Sequence, residues 1–285
     1  MSILEEFEGK TATWCPGCGD WAIAASIKRA FVDLGYHPWD IMVAFGIGCS
    51  GNMNDVLHTY GFHSLHGRAL PQAIGMKMGQ HTMPVICIVG DGDTYGEGGN
   101  HMLHASRGNH DITVVVHDNG VYGLTTGQVS PRSAVGQKSK STPSGTLDAP
   151  LNPLALTLGQ GATFVAQGFA GQTLQLIDLI KKGLAHKGFS IVNVLQPCVT
   201  FNKINTYEYF RDKAYTLEEG YDPSNFKAAM EKALQSTQEE KFPLGVIYEH
   251  NKPTYTDQLP QLAENQLVDR ERFTDFEELT AEFAA

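Results

Sequence analysis

Residues 84–104 read PVICIVGDGDTYGEGGNHMLH, an apolar run that gives way to glycines and carboxylates before a segment of helical character. A strand that ends in glycine-rich backbone and feeds a helix suits a phosphate, because unpaired N–H groups and the helix dipole both favour an anion. The dinucleotide pattern G-x-G-x-x-G matches Gly90 and Gly92 but requires glycine where Tyr95 stands. A calcium loop would use Asp91, Asp93 and Gly96, but Tyr95 occupies a ligand position and Met102 replaces the bidentate glutamate. The lysine and hydroxyl of a G-K-[ST] nucleotide loop are missing as well. What is left is an acidic phosphate loop. Asp91 and Asp93 would repel a bare diphosphate, so a divalent cation is expected between carboxylate and phosphate.

Outward from this stretch, IMVAFG at 41–46, ITVVV at 112–116 and FSIVNVL at 189–195 are further short apolar runs. They alternate with helical segments: one around Ala69 to Met78, one after Gly98, and one whose apolar face is Ile23, Ile27, Phe31 and Leu34. Asp20 is the expected cap of the last of these and Gly35 its stop. The alternation predicts an α/β fold, an open and mostly parallel sheet with helices on both faces. Ligands in such sheets bind beyond the carboxyl ends of the strands. Gly46 to Cys49, Gly90 to Asp93, His117 to Val121 and Pro197 to Cys198 all fall at such ends, and so converge on one edge.

Residues 125–150, TTGQVSPRSAVGQKSKSTPSGTLDAP, are polar and too long for a plain connection, which predicts a functional loop or a partner contact. After Lys213 the pattern loosens, although PLGVIYE at 243–249 reads as a strand and FTDFEELTAEF at 273–283 as a terminal helix. The expected organisation is a binding domain over 1–213 with 214–285 as a C-terminal extension packed on the same domain.

The chain has 285 residues, 42% hydrophobic and 18% charged, enough for one large domain or two small ones. A formal charge of -10 argues against nucleic acid and anionic membranes as general partners. Lys138, Lys140 and the stretch Lys203 to Lys213 with Arg211 are the modest local exceptions. No run approaches the ~18 apolar residues of a membrane span, and MSILEEFEGK lacks the basic and apolar regions of a signal peptide. A cytoplasmic location is therefore expected, where the five cysteines stay reduced. Cys15 and Cys18 stand in WCPGCG, while Cys49 and Cys198 each follow a strand end. Two local and two distant thiolates make a four-cysteine site that zinc and an iron–sulfur cluster satisfy equally on spacing. Cys87, inside PVICIV, reads as a small buried hydrophobe.

In order along the chain, WCPGCG, GIGCSG, LHGRALPQAIGMK, GDGD, DNGVYGLTTGQ, QPC and PLGVIYE resemble the β subunit of 2-oxoacid:ferredoxin oxidoreductases, from Trp14 to about Glu249. The resemblance implies the thiamine diphosphate-binding fold, with thiamine diphosphate, Mg²⁺ and one [4Fe-4S] cluster as cofactors. It puts the cluster on Cys15, Cys18, Cys49 and Cys198. In thiamine enzymes a GDG turn is followed by an asparagine at the next strand end, and here Gly90-Asp91-Gly92 is followed by Asn119. Asp91, the Asn119 amide oxygen and the Val121 carbonyl are the implied magnesium ligands. Gly92 lets backbone approach the phosphates, and Asp93 either accepts hydrogen bonds near them or shapes the turn. Gly48, Cys49, Ser50 and Gly90 are placed at the cofactor, and Tyr122, Gly123, Leu124 and Thr125 line it. His66, in an HGR like that of the family, is a candidate cofactor or substrate contact. Arg68 would clamp a carboxylate or pair with a protein acid. Asn52 is a candidate at the substrate pocket.

The implied reaction is coenzyme A-dependent oxidative decarboxylation of a 2-oxoacid, 2-oxoglutarate ahead of pyruvate, to acyl-CoA and CO2. Electrons leave through the cluster to ferredoxin, and a sufficiently reducing donor would run the reaction backwards. The glutamate that activates thiamine comes, in this family, from the α subunit, so this chain alone is expected to be inactive. Two rivals stand beside this reading: a thiamine-dependent decarboxylase with structural zinc, and an iron–sulfur electron-transfer subunit without catalysis.

Overall fold

The structure, a computed structural model, describes residues 2–263, 265–270, 275–281 and 283. Among these residues ten strands form: β1 (Met42–Phe45), β2 (Tyr60–His63), β3 (Val85–Gly90), β4 (Thr113–Asp118), β5 (Val121–Tyr122), β6 (Gln128–Val129), β7 (Phe164–Phe169), β8 (Ser190–Leu195), β9 (Ala214–Thr216) and β10 (Phe242–Glu249). Eight of them build one sheet in the order β2-β1-β3-β4-β8-β7-β10-β9. Every neighbouring pair is parallel except β10 with β7. β5 and β6 form a separate antiparallel pair.

Helices cover both faces, as the alternating pattern requires. Alternate residues of one strand serve opposite cores. Val43, Phe45, Ile86 and Ile88 pack with Ile23, Ile27 and Phe31 of helix Gly19–Asp33 and with Leu176 and Ile180 of helix Thr173–Ala185. Ala44, Val85, Cys87 and Val89 pack on the other side with Leu70 and Ala73 of helix Ala69–Gly79 and Met102 of helix Gly99–Gly108. A third cluster, Phe169, Leu195, Phe210, Phe242 and Leu244, lies toward β10.

One expectation needs correction, and two strands went unread. Asp20 does not cap its helix: Cys18 is the cap residue, and the Asp20 carboxylate turns inward to Cys18 and His117. β7 has no clear signature in the sequence because Gln167 and Gly168 interrupt its apolar run, and β2 has none because all four of its residues are exposed. Residues 125–150 pack against the sheet edge. They hold β6, pair Gly136 N–H with the Thr146 carbonyl at 2.8 Å, and send side chains into the sheet edge. Gly35 does end its helix, at φ +77. Of the terminal segment, Phe276–Ala281 is helical, while Phe273, Thr274 and Glu282 lie outside the described residues. Residues from 214 onward contribute β9 and β10 to the same sheet.

Candidate active site at the carboxyl edge of the sheet

β3 delivers Gly90 opposite His117 of β4, so the residues just past each strand, Asp91 and Asn119, meet at the sheet edge. Asp91 is buried; Ser130 Oγ donates to its Oδ2 at 2.5 Å and the Asn119 N–H points at its Oδ1 from 3.4 Å. Among the described residues no cationic side chain pairs with it, because the neighbouring guanidinium, Arg132, is committed to Asp118 at 2.9 Å. Burial first, and the Asp118 charge second, push the Asp91 carboxyl up to about 7. The chain then makes a wide π-helical turn over Gly92–Glu97 before helix Gly99–Gly108 begins. A side chain at Gly92 would stand 2.3 Å from the Tyr122 ring, so only glycine fits there.

One cavity collects these strand ends. Its lining runs from Ile47 to Ser50 after β1, includes His66, takes Gly90 to Asp93 after β3, and ends with Asn119 and Val121 to Thr125 after β4. Every residue that the sequence reading puts at the cofactor is in this lining; Ile47, within the strand-end stretch Gly46 to Cys49, is there too. Asp93 Oδ1 accepts from the N–H groups of Ile47 at 3.1 Å and Gly67 at 2.8 Å, tying two loops together. Its Oδ2 and the Ser50 Oγ are buried without hydrogen-bond partners among the described residues. His66 Nδ1 lies 2.7 Å from Asp93 Oδ1 without the angle of a hydrogen bond. Arg68 pairs with no acid among the described residues; it donates to the carbonyls of Gly67 and Glu97. A buried lone carboxylate with orphaned oxygens beside it fits a cation and its phosphate.

Cys15, Cys18, Cys49 and Cys198 line a second cavity, of about 170 Å³, with Asn52 and Trp14. Asn52 therefore sits with the thiols and not in the first cavity. By this measure about 10–15 Å³ admits one water, so the space suits a polyatomic group. Among the described residues, no three His, Cys, Asp or Glu side chains converge on a point that one ion could occupy. Soft thiols around a volume fit an iron–sulfur core better than a single zinc ion. Burial, then Asp20, Cys198 and Cys15, push the Cys49 thiol up to about 12, and burial and Asp20 raise Cys18 further. Such thiols ionise when a metal binds them. Trp14 Nε1 donates to the Cys49 carbonyl at 2.7 Å and Trp21 Nε1 to that of Cys15 at 3.1 Å. Cys87 is buried in the core on the other face of the sheet from the one that holds Cys18.

Cys49, Gly123 and Leu124 line both cavities. Four polar residues behind this wall are not legible in the sequence: Ser130 on Asp91, Gln196 on Asn119 and Cys18, Arg132 on Asp118, and His117 on Asp20. Each reaches a partner well outside its own local stretch, and no local pattern announces it.

Residues 46–194 match the family described as thiamine pyrophosphate enzyme, C-terminal TPP binding domain, and residues 198–264 match the C terminal of the pyruvate ferredoxin oxidoreductase beta subunit. A 2-oxoacid:ferredoxin oxidoreductase subunit beta of Saccharolobus solfataricus is 42% identical over 248 residues, covering 83% of this chain and 81% of that one. The chain belongs to the β subunits of the 2-oxoacid:ferredoxin oxidoreductases. This β subunit is also 32% identical to the 2-oxoglutarate synthase subunit KorB of Methanocaldococcus jannaschii, over 88% of its own length and 92% of the relative's. A 2-oxoglutarate:ferredoxin oxidoreductase from Magnetococcus marinus, solved with 2-oxoglutarate, coenzyme A and succinyl-CoA bound, superposes with a TM-score of 0.90. That match has 38% identity and covers 100% of the β subunit and 96% of the other chain. The β subunit thus carries a thiamine diphosphate-binding domain, belongs to a thiamine-dependent oxidoreductase, and works with an α subunit. Among its described residues no helix is long and apolar enough to cross a membrane.

Proposed function

We propose that the β subunit, joined to its α subunit, performs coenzyme A-dependent oxidative decarboxylation of 2-oxoglutarate, with pyruvate the next choice, and passes the electrons to ferredoxin. The observation that carries this is the wall of Cys49, Gly123 and Leu124 common to both cavities. It would make a diphosphate cofactor and a thiolate-held [4Fe-4S] cluster immediate neighbours, as electron transfer between them needs. The preference for 2-oxoglutarate rests on the likeness to the Magnetococcus marinus protein and to the KorB chain.

Asp91, Asn119 Oδ1 and the Val121 carbonyl would hold Mg²⁺, with diphosphate oxygens completing its octahedron. Thiamine diphosphate, when bound, supplies the carbanion and the electron sink. The chain's own residues anchor and enclose it. Gly48, Gly90, Gly92 and Gly123 keep backbone accessible, the free oxygens of Ser50 and Asp93 belong to residues lining the same space, and Tyr122, Leu124 and Thr125 close its side. His66 at the first cavity and Asn52 at the second are available for substrate contacts. Among the described residues no glutamate lines the cofactor cavity, which supports an activating glutamate from the α subunit. Five free thiols and a charge of -10 suit a cytoplasmic enzyme without nucleic-acid or membrane partners.

Co-expressed with its α subunit and purified without oxygen, the complex should carry about four irons per β chain. It should also hold thiamine diphosphate and reduce a viologen dye with 2-oxoglutarate and coenzyme A. The β chain alone should keep the cluster without turning over. Stoichiometric zinc in place of iron, or turnover by the β chain alone, would refute the assignment.

A further inference from the structure

We propose that Gln196 is a positioning residue that couples the two cofactor sites; the proposal rests on the cluster and magnesium assignments above. Gln196 follows β8 and is fully buried. Its N–H donates to the Asp118 carbonyl at 2.9 Å, and the next carbonyl, of Pro197, accepts from Gly19 N–H at 3.2 Å. A Cβ on Gly19 would stand 2.6 Å from Gln196 Cγ, so the glycine after Cys18 makes the room this side chain occupies. The amide then bridges the sites. Nε2 donates to Cys18 Sγ at 3.3 Å, and Oε1 accepts from Asn119 Nδ2 at 2.9 Å. Asn119 Oδ1 in turn accepts from Val121 N–H at 3.0 Å.

The polarity of this chain is dictated from one end. A cysteine sulfur bound to iron accepts hydrogen bonds and cannot donate them. Gln196 must therefore offer its NH2 to Cys18, which leaves its oxygen to Asn119. Asn119 must answer with its own NH2, which turns its oxygen to the far side. There the two lone pairs serve Val121 N–H and a cation. Reversing either amide would set oxygen against thiolate or NH2 against NH2. Asp20 Oδ2, at 3.2 Å, brings only an acceptor to Cys18 Sγ, so Gln196 is the side-chain donor to that sulfur among the described residues. Two effects follow. The N–H···S bond stabilises the negative charge the cluster gains with an electron and raises its reduction potential. The fixed Asn119 oxygen strengthens magnesium and diphosphate binding.

The test uses the αβ complex purified without oxygen. Gln196→Met preserves side-chain length and removes both bonds. The expected result is a retained cluster with a more negative midpoint in an EPR-monitored titration, together with a thiamine diphosphate Kd weakened roughly tenfold at fixed magnesium. Gly19→Ala, which displaces Gln196 without removing its amide, should move both quantities the same way. In the wild type, isotopic labelling of the glutamine side-chain nitrogen should alter one nitrogen coupling to the reduced cluster in pulsed EPR. Wild-type values in Gln196→Met, a change in only one of the two, or no coupling from the labelled nitrogen overturns the proposal. Wild-type complex without iron or thiamine diphosphate would instead count against the functional reading on which it rests.

Discussion

Asp91 is a buried carboxylate beside a guanidinium already taken by Asp118. Without a cation its carboxyl is pushed up to about 7, first by burial and then by Asp118, whereas in an unfolded chain it titrates near ~3.9. The folded form keeps the proton to higher pH, so this contribution to stability is complete below about pH 4 and is lost as pH rises through about 7. Stripped of magnesium and cofactor, the wild-type chain should lose about 2 kcal/mol relative to Asp91→Asn between about pH 5.5 and about pH 8. Denaturant unfolding at each pH measures this, and parallel profiles would exonerate Asp91. Magnesium should reverse the trend, because a cation favours the carboxylate. The spacing of Asp91 and Asn119 is legible in the sequence, since consecutive parallel strands put their ends side by side. Ser130 is not, because its bond to Asp91 joins residues 39 apart through a loop of no regular pattern.

At the scale of elements, the two-residue period of a strand sorts the five cysteines. Cys87 lies between Ile86 and Ile88 and so faces the core opposite theirs, against helix Ala69–Gly79. Cys49 and Cys198 stand beyond strand ends, where side chains are free to face the rim. Cys87→Ala should accordingly keep full iron content while lowering stability by roughly 1–2 kcal/mol. Cys198→Ala should lose the iron. Equal iron loss in both variants, by iron assay and thermal unfolding, would mean that the strand does not separate them. No local pattern announces the π-helical form of Gly92–Glu97; there Tyr122 closes over Gly92 and bonds the Gly92 carbonyl at 3.2 Å, a contact from beyond the next strand.

Over the whole molecule, β10 and β9 finish the sheet beside β7 and cover Phe169 and Phe210 with Phe242 and Leu244. Ending the chain at Lys213 would expose the β7 edge and this aromatic cluster together, so the truncated protein should aggregate. Size-exclusion chromatography decides it; a monodisperse fragment 1–213 that binds thiamine diphosphate would show the last strands to be dispensable. Local chemistry is enough to read buried parallel strands, glycine at the phosphate turn and the type of ligand each strand end presents, because these depend on neighbours a few residues away. The burial of Asp91 without a counter-charge, the wall shared by two cavities and the bridge through Gln196 came with folding. They join β1, β3, β4 and β8, which lie side by side at one edge but tens of residues apart in the chain, and a linear pattern does not record that proximity.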